Sequence, residues 1–442
     1  MVGRGREAST RIARQVRDAF AALLDQKTPF GRLALTHVVL TAGDALLTVS
    51  LAGSIFFKVS TGEARSKVIL YLLLTMAPFA VVAPLLGPII DRSRGARRAT
   101  VVVSTVCRAG VSLVLANDLQ GPLLYPLAFI MLVLSKVYLV TKGSLVPLVV
   151  AASEHPGGDE LATANARLGL LSSLTSLVAS IPAIGVYELL GGSWVLRLDM
   201  VVFVVGTVVA LRLPVGRPRG RVRHEGLAPD HTPVVADAAD TWDEETPIGA
   251  LGPRANTHPE VLLALSAMSI LRGLVGFLTF LLAFSLHKNG NAPGWYGFML
   301  VSSVAGALLG VVIVPRVRKV LSEPAMLAVS IWAIALAAVL VAAVGGIAIQ
   351  AFLAFVVGIA SAASKPAFDA LVQRYVPTAA QGRAFARFET RLQLVWVLGA
   401  FLPVVVSLPL ISGDVVIAAV AAVTGLSYLT SRRALRHRWV AP

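Results

Sequence analysis

The sequence predicts an all-α membrane protein with twelve transmembrane helices in two pseudo-symmetric six-helix bundles. The first observation is composition: of 442 residues, 56% are hydrophobic and only 14% are charged, well below the charged share of an ordinary soluble domain. The second is that apolar runs of about 20 residues, each long enough to cross a hydrocarbon core, recur along the chain. The third is that a polar segment divides these runs into two sets of six.

The order of the runs defines the predicted domains. The first set falls at 33–57, 66–90, 99–116, 122–150, 162–190 and 194–213, and the second at 259–286, 294–315, 324–344, 347–372, 385–410 and 412–430. The predicted domains are a cytoplasmic amphipathic N-terminal segment (1–32), two six-helix bundles (33–213 and 259–431), a cytoplasmic linker (214–258) and a basic cytoplasmic tail (432–442). The N-terminal segment is expected to lie on the inner membrane surface, attracted by anionic lipid.

The net charge of +15 is distributed in a way that indicates membrane orientation. The basic residues cluster in short segments between apolar runs, such as 92–98 and 217–223, so nucleic acid is not an expected partner. Placing both termini in the cytoplasm puts nearly all of these clusters inside, as expected for a multi-pass protein of the plasma (inner) membrane. The single cysteine, Cys107, excludes an internal disulfide and is expected to be buried.

A basic turn separates the second and third runs. It resembles the loop signature of the major facilitator superfamily, Gly-x-x-x-Asp-Arg-x-Gly-Arg-Arg, with one residue inserted before Gly95 and another after it. The resemblance implies a cytoplasmic gate, and a plain basic membrane turn is the alternative. The expected gate residues are Gly87, Asp91, Arg92, Gly95, Arg97 and Arg98, joined by Arg387, Glu389 and Arg391 at the cytoplasmic end of the eleventh run.

The two sets of runs also resemble each other. Leu85–Gly87 recurs as Leu308–Gly310, and Thr141–Lys142 recurs as Ser364–Lys365 at the same separation along the chain. Repeated six-helix units are the arrangement expected of transporters in this superfamily. Walker, Gly-x-Ser-x-Gly and His-Glu-x-x-His motifs do not occur in the sequence, so an enzyme, a cofactor and a metal site are not expected.

Ionisable residues inside membrane spans are costly and usually line a cavity. The expected substrate-binding or coupling residues are Asp44, Arg108, Lys142, Arg167, Arg272, Lys365 and Asp369. Basic residues outnumber acids here, which favours a substrate with phosphate or carboxylate, and Asp44 is expected to hold Lys142 or Arg272 in the empty protein. Two interpretations stay open for Lys365 and Asp369, a structural ion pair or a substrate site. Lys136 is expected to snorkel or pair locally, and Asp199 to anchor near the outer interface.

Three stretches resemble the bacterial lysophospholipid transporter group: Gly43–Leu46, Thr141–Leu145, and Leu161–Asn165 with Arg167. Members of that group carry an acid on the first span and a basic residue on the seventh, positions that Asp44 and Arg272 match. A competing resemblance is to efflux antiporters, because Ile181–Gly185 is similar to their Gly-Pro-x-x-Gly-Gly bend. A simple helix kink at Pro182 is the alternative.

The expected function is secondary active transport by alternating access, driven by protons, another coupling ion or the substrate's own gradient. The expected substrate is amphipathic and anionic, such as a lysophospholipid or related lipid, and the expected assembly is a monomer in contact with membrane lipids. One alternative is a proton-coupled exporter of drugs or small metabolites. Another is a membrane protein that binds lipids or partner proteins through its N-terminal segment and linker without transporting.

Overall fold

The computed structural model describes residues 26–55, 95–119, 121, 123–152, 160–214, 258–288, 293–377, 380–406 and 408–440. Within these ranges all the regular structure is helical. The helices are α1 (Pro29–Ile55), α2 (Ala96–Asn117), α3 (Leu124–Ala151), α4 (Glu160–Leu190), α5 (Gly192–Ala210), α6 (Pro259–Lys288), α7 (Pro293–Val317), α8 (Glu323–Val344), α9 (Gln350–Tyr375), α10 (Gln381–Val405) and α11 (Leu410–Val440).

Eleven helices in the described part of the chain are long and apolar enough to cross a membrane. Each corresponds to one predicted span, and the remaining predicted span, 66–90, lies outside the described residues. The N-terminal segment up to residue 25 and the linker from 215 to 257 lie outside them too. The predicted all-α membrane class is therefore confirmed.

Helix starts follow local sequence signals. Thr28 precedes α1, and its Oγ1 accepts a hydrogen bond of 3.0 Å from the backbone N–H of Gly31, as expected of a capping residue before Pro29. Glu260 lies in the first turn of α6 and Glu323 in that of α8, where a negative charge complements the helix dipole. These signals place the helix ends independently of the membrane.

The last helix extends beyond the apolar run that predicted it. The run ends at about residue 430, whereas α11 continues to Val440 through most of the predicted basic tail. The tail contains alanine, leucine and arginine, which are good helix formers, and positive charge is favourable near a helix C-terminus. The apolar run therefore predicts the start of this helix and underestimates its length.

The helices pack in two groups that meet along one seam. In the first group α5 packs on α1, α2 and α4, α1 also packs on α4, and α3 packs on α2. In the second group α7 packs on α9, α10 on α6, and α8 on both α9 and α11. The groups meet where α3 contacts α9 and α10 and where α4 contacts α7 and α9.

Polar contacts show which helix ends share one side of the bundle. The side chain of Arg212, after α5, donates to that of Gln26, before α1, at 3.0 Å. The rings of His258, before α6, and Tyr375, at the end of α9, stack with centroids 4.1 Å apart. Arg374 pairs with Glu323 at 2.6 Å, joining the end of α9 to the start of α8. We call this the terminal side, because α1 begins and α11 ends there.

Glycines bring the backbones of two helix pairs into contact. A β-carbon at Gly358 of α9 would collide with the carbonyl oxygen of Ser303 in α7, and one at Gly399 of α10 with that of Gly273 in α6. Small residues permit such close approach between transmembrane helices, where dispersion and backbone contacts stabilise the pair. These contacts hold α7 to α9 and α6 to α10.

Cys107 is exposed, so the sequence-based expectation of burial is wrong. It lies on a face of α2 that also exposes Val103, Val106 and Gly110. In a membrane an apolar position is equally at home against lipid, so apolarity does not indicate burial.

We expect Gly358→Ala to destabilise the protein by about 1–3 kcal/mol, because the added methyl group overpacks a backbone contact. Gly110→Ala is the matched control, since nothing lies within 4 Å of a β-carbon at that helical position. Alanine is there expected to be neutral or stabilising. Thermal unfolding in detergent measures both, and equal effects of the two substitutions would contradict the packing role of Gly358.

Candidate functional site

The first group of helices buries a charge pair near its middle. Arg108 of α2 is fully buried, and its Nη2 donates to Oδ1 of Asp44 on α1, whose side chain is 35% exposed. The Arg108 guanidinium carbon lies 4.0 Å from the ring centroid of Phe203 on α5, a cation–π distance. The expectation that Asp44 holds Lys142 or Arg272 is therefore not what the structure describes. Arg108 reaches Asp44 because α1 and α2 both pack on α5.

Asp199 of α5 lies fully buried beside this pair. Its Oδ2 accepts a hydrogen bond of 2.7 Å from the hydroxyl of Ser112 on α2. Gly43 makes room for it, because a β-carbon there would lie 3.1 Å from Asp199 Oδ1 and closer still to the Phe203 ring. Asp199 is thus an interior residue, and its expected place at the outer interface is wrong.

The second group contains a three-residue ion cluster. Lys365 of α9 donates to Asp369 Oδ1 at 2.5 Å and to Glu389 Oε1 of α10 at 2.6 Å. All three side chains are largely buried, with the Lys365 side chain 22% exposed. The pair of Lys365 and Asp369 expected from their spacing is present, and Glu389 completes it. One lysine side chain therefore forms ion pairs with two carboxylates.

Basic side chains connect the two charge centres. Lys136 of α3 interacts electrostatically with Asp44 in the first group and with Glu389 and Arg272 in the second. Lys142, two turns further along α3, interacts with Asp369, Lys365 and Glu389. The expectation that Lys136 snorkels or pairs locally stays a prediction. Its place near the middle of its span was the signal that pointed inward.

Other expected site residues lie away from these centres. Arg167 of α4 is exposed, and so are Arg387 and Arg391 of α10, whereas Glu389 between them is buried. Residues two apart on a helix project to nearly opposite faces, so Glu389 joins Lys365 and its arginine neighbours do not. The structure consequently separates Glu389 from the gate set in which the sequence interpretation placed it.

The expected gate turn is described only from Gly95 onward. Gly87, Asp91 and Arg92 lie outside the described residues. Arg97 is buried at the start of α2, and Arg98 is half-buried beside a recess on the terminal side. The gate role of this turn stays a prediction.

Neutral side chains close the terminal side between the two groups. Gln373 of α9 donates from Nε2 to the carbonyl oxygen of Gly143 on α3 at 2.9 Å and accepts at Oε1 from Asn165 of α4 at 2.7 Å. Gly143 itself abuts the ring of Phe385, which would lie 3.0 Å from a β-carbon there. We call the hydrogen bonds of Gln373 with Gly143 and Asn165 the Gln373 contact. Gln373 is uncharged, so the pattern of ionisable residues in the sequence does not predict this contact.

An apolar patch extends the same closure. Ala166 of α4 packs with Val314 of α7, Met326 of α8 and Ala363 and Ala367 of α9. Ala166, Val314 and Met326 lie near the helix ends on the terminal side. The groups are therefore joined there by both hydrogen bonds and apolar packing. Among the described residues, no group of three His, Cys, Asp or Glu side chains could hold a metal ion.

The fold defines a multi-pass, all-helical membrane protein with charges in its interior. The family model of the Major Facilitator Superfamily matches residues 33–433, and the chain belongs to that family. It is therefore a membrane transporter rather than an enzyme, as the sequence analysis expected.

Relatives in sequence have no assigned function. An uncharacterised protein of Mycobacterium leprae (strain TN) is 30% identical over 409 residues, covering 87% of this chain and 69% of that protein. An uncharacterised protein of Mycobacterium tuberculosis (strain ATCC 25618 / H37Rv) is 29% identical over 333 residues, covering 69% of this chain and 55% of that protein. The chain thus spans little more than half the length of the second relative.

Solved structures share the fold at low identity. A bacterial homologue of the iron transporter ferroportin in an outward-facing state superposes with a TM-score of 0.67 at 13% identity, covering 91% of this chain and 99% of that one. The human organic anion transporter MFSD10 superposes with a TM-score of 0.63 at 12% identity, covering 91% of this chain and 99% of that one. The transporter FucP in its outward conformation gives 0.65 at 11% identity, with 91% and 98% coverage.

We expect Asp44→Asn to destabilise the protein more than the double substitution Asp44→Asn with Arg108→Met. The single change leaves the buried Arg108 charge without its carboxylate, at a cost of about 3–5 kcal/mol for a fully buried pair and less here because Asp44 is partly exposed. The double change removes that charge too. Thermal unfolding of the four members of this cycle measures the difference, and additive effects would contradict the pairing.

Proposed function

We propose that this transporter works by alternating access as a secondary active carrier of an amphipathic anionic substrate, such as a lysophospholipid or a related lipid. One observation supports this above all. Side chains from both groups of helices, Lys136 from the first and Arg272 from the second, share the carboxylate of Glu389 as an electrostatic neighbour. A substrate bound there would touch both groups, which is the requirement for coupling it to their relative motion.

The balance of charge favours a negative substrate group. Around the second centre four basic side chains, Lys136, Lys142, Arg272 and Lys365, face two carboxylates, those of Asp369 and Glu389. Asp44 is offset by Arg108. The surplus is smaller than the sequence analysis expected, because Glu389 joins the centre. The basic side chains still outnumber the carboxylates, and ammonium and guanidinium groups bind phosphate or carboxylate with charge-assisted hydrogen bonds.

The basic residues at helix ends support an orientation. Arg98, Arg212, Lys319 and Arg433 all lie on the terminal side, and by the positive-inside rule that side faces the cytoplasm. Both termini would then be cytoplasmic in the plasma (inner) membrane. The Gln373 contact would close the cytoplasmic entrance, and transport would require it to open.

A proton-coupled exporter is the second candidate, and the sharing of Lys365 favours it. Asp369 and Glu389 compete for one ammonium group. A proton on either carboxylate would release Lys365 to the other and rearrange the contact between α9 and α10. Such an exchange offers a coupling site for drug or metabolite export, but the surplus of basic side chains suits a cationic drug poorly.

We expect Lys142→Met to reduce uptake of an anionic lysophospholipid into proteoliposomes by about tenfold or more, because a hydrogen bond to a charged group is worth about 1.5–3 kcal/mol. Methionine keeps the length of the side chain and removes its charge. Lys319→Met is the matched control, since Lys319 is exposed between α7 and α8.

Two further arms separate the candidates. Uptake of the lysophospholipid is compared with uptake of a cationic dye, and both are measured with and without a pH gradient. Dye transport that depends on the gradient, with no lysophospholipid uptake, would contradict the lipid substrate and favour the exporter. Equal loss in Lys142→Met and Lys319→Met would contradict a direct role for Lys142.

We expect Gln373→Leu to open the terminal side about tenfold more often, because it removes two hydrogen bonds worth about 0.5–1.5 kcal/mol each. Spin labels on Ala151→Cys and Lys319→Cys, in a Cys107→Ser background, report the separation of the groups by electron paramagnetic resonance. Both labelled positions are exposed.

Gln350→Leu is the control for Gln373→Leu. Gln350 also makes a buried hydrogen bond, of 2.6 Å to Asp414, but within the second group and at the far side. It is expected to lower stability without lengthening the labelled distance. An unchanged distance distribution in Gln373→Leu would show that the Gln373 contact does not hold the entrance.

A non-transporting lipid- or partner-binding protein is the third alternative. Its expected contact surfaces, the N-terminal segment and the linker, lie almost wholly outside the described residues. A labelled distance that never changes with ligand, together with no uptake of either probe, would support it.

A further inference from the structure

A basic recess opens on the terminal side, where α1 begins, α2 begins and α5 ends. Its volume is about 710 Å³. The described residues that line it are Gln26, Arg32, Arg98, Leu211, Arg212, Leu213 and Pro214. Three guanidinium groups thus converge from three helix ends, and none of the described lining residues is acidic.

Gln26 positions two of the three arginines. Its carbonyl oxygen accepts a hydrogen bond of 2.9 Å from Arg32 Nε, and its side-chain Oε1 accepts one of 3.0 Å from Arg212 Nη1. Both acceptors are neutral, so they orient the guanidinium groups without cancelling their charge. The remaining N–H groups of each arginine keep the planar geometry that binds phosphate oxygens in pairs.

The recess lies where membrane spans end, the level at which lipid headgroups are expected. Arg32 and Arg98 are in the first turns of α1 and α2, and Arg212 follows the end of α5, so all three stand at the ends of membrane spans. Leu211, which is 47% exposed, and Pro214 add apolar surface beside the charges. Basic pockets between transmembrane helices at this level suit anionic headgroups.

We propose that this recess binds the phosphate headgroup of an anionic phospholipid from the surrounding leaflet. The three arginines would hold the phosphate, and Leu211 and Pro214 would contact the glycerol and the start of the acyl chains. The apolar rim favours a lipid over free phosphate, because free phosphate has no apolar part to contact that surface. The site is separate from the interior charges of Lys365 and Arg108 and does not depend on the proposed substrate.

Native mass spectrometry of the intact protein in a neutral detergent tests the site. The probes are phosphatidylglycerol, phosphatidylcholine and soluble glycerol phosphate. We expect phosphatidylglycerol to bind in preference to the other two. Arg98→Gln and Arg212→Gln should each weaken its binding about fivefold, since a basic residue near the membrane surface contributes about 1 kcal/mol.

Arg433→Gln is the matched control, because Arg433 is exposed on the terminal side in α11 and makes the same change in net charge. It is expected to leave the binding constant within twofold. Arg98→Lys, which keeps the charge and loses the paired geometry, should recover part of the affinity. Thermal unfolding of each variant confirms that it is folded.

Three results would overturn the proposal. Equal binding of phosphatidylglycerol and phosphatidylcholine would show that the arginines do not select anionic headgroups. Equal weakening by Arg98→Gln and Arg433→Gln would reduce the effect to net charge. Binding of glycerol phosphate as tight as that of the lipid would assign the recess to a soluble phosphate compound.

Discussion

A charge inside a transmembrane bundle must have a partner, and the interior of this protein depends on that constraint. Solvation by lipid is not available, so each buried ammonium or guanidinium group is stable only beside a carboxylate or an aromatic face. Arg108 satisfies the constraint with Asp44 and Phe203, and Lys365 does so with two carboxylates. Each group of helices therefore carries its own charge centre, and Lys136 lies within electrostatic range of both.

The two groups of helices are joined differently on the terminal side. Two described hydrogen bonds between the groups come from the neutral amides of Gln373 and Asn165, beside small apolar residues. Amide hydrogen bonds exchange readily for bonds to water and contribute little net free energy. A seam of this kind separates at lower cost than one made of buried ion pairs.

Composition and charge predict the all-α membrane class and the eleven spans that the described helices match. They do not predict which charges meet. Asp44 pairs with Arg108 rather than Lys142 or Arg272, and Glu389 turns inward while Arg387 turns out. Both outcomes depend on the rotation of each helix about its axis. In a soluble helix the apolar stripe reveals that rotation, but here lipid and core are equally apolar and the stripe disappears.

Neutral residues with a structural role are also difficult to predict from the sequence. Gln373 carries no charge and occurs at an otherwise ordinary helix end, so nothing in the sequence indicates its contact. Asn165 was singled out only as part of a resemblance. The end of α11 is difficult to predict for a different reason. Its polar residues do not continue the apolar run, although their helix propensity supports a longer helix.

The glycine contacts have a mechanical consequence. Where Gly358 meets Ser303 and Gly399 meets Gly273, main chain touches main chain, and there is no side-chain rotamer that can yield. Each of these helix pairs is therefore expected to move as one rigid unit. The bending that a transport cycle requires has to occur elsewhere along the helices or between the two pairs.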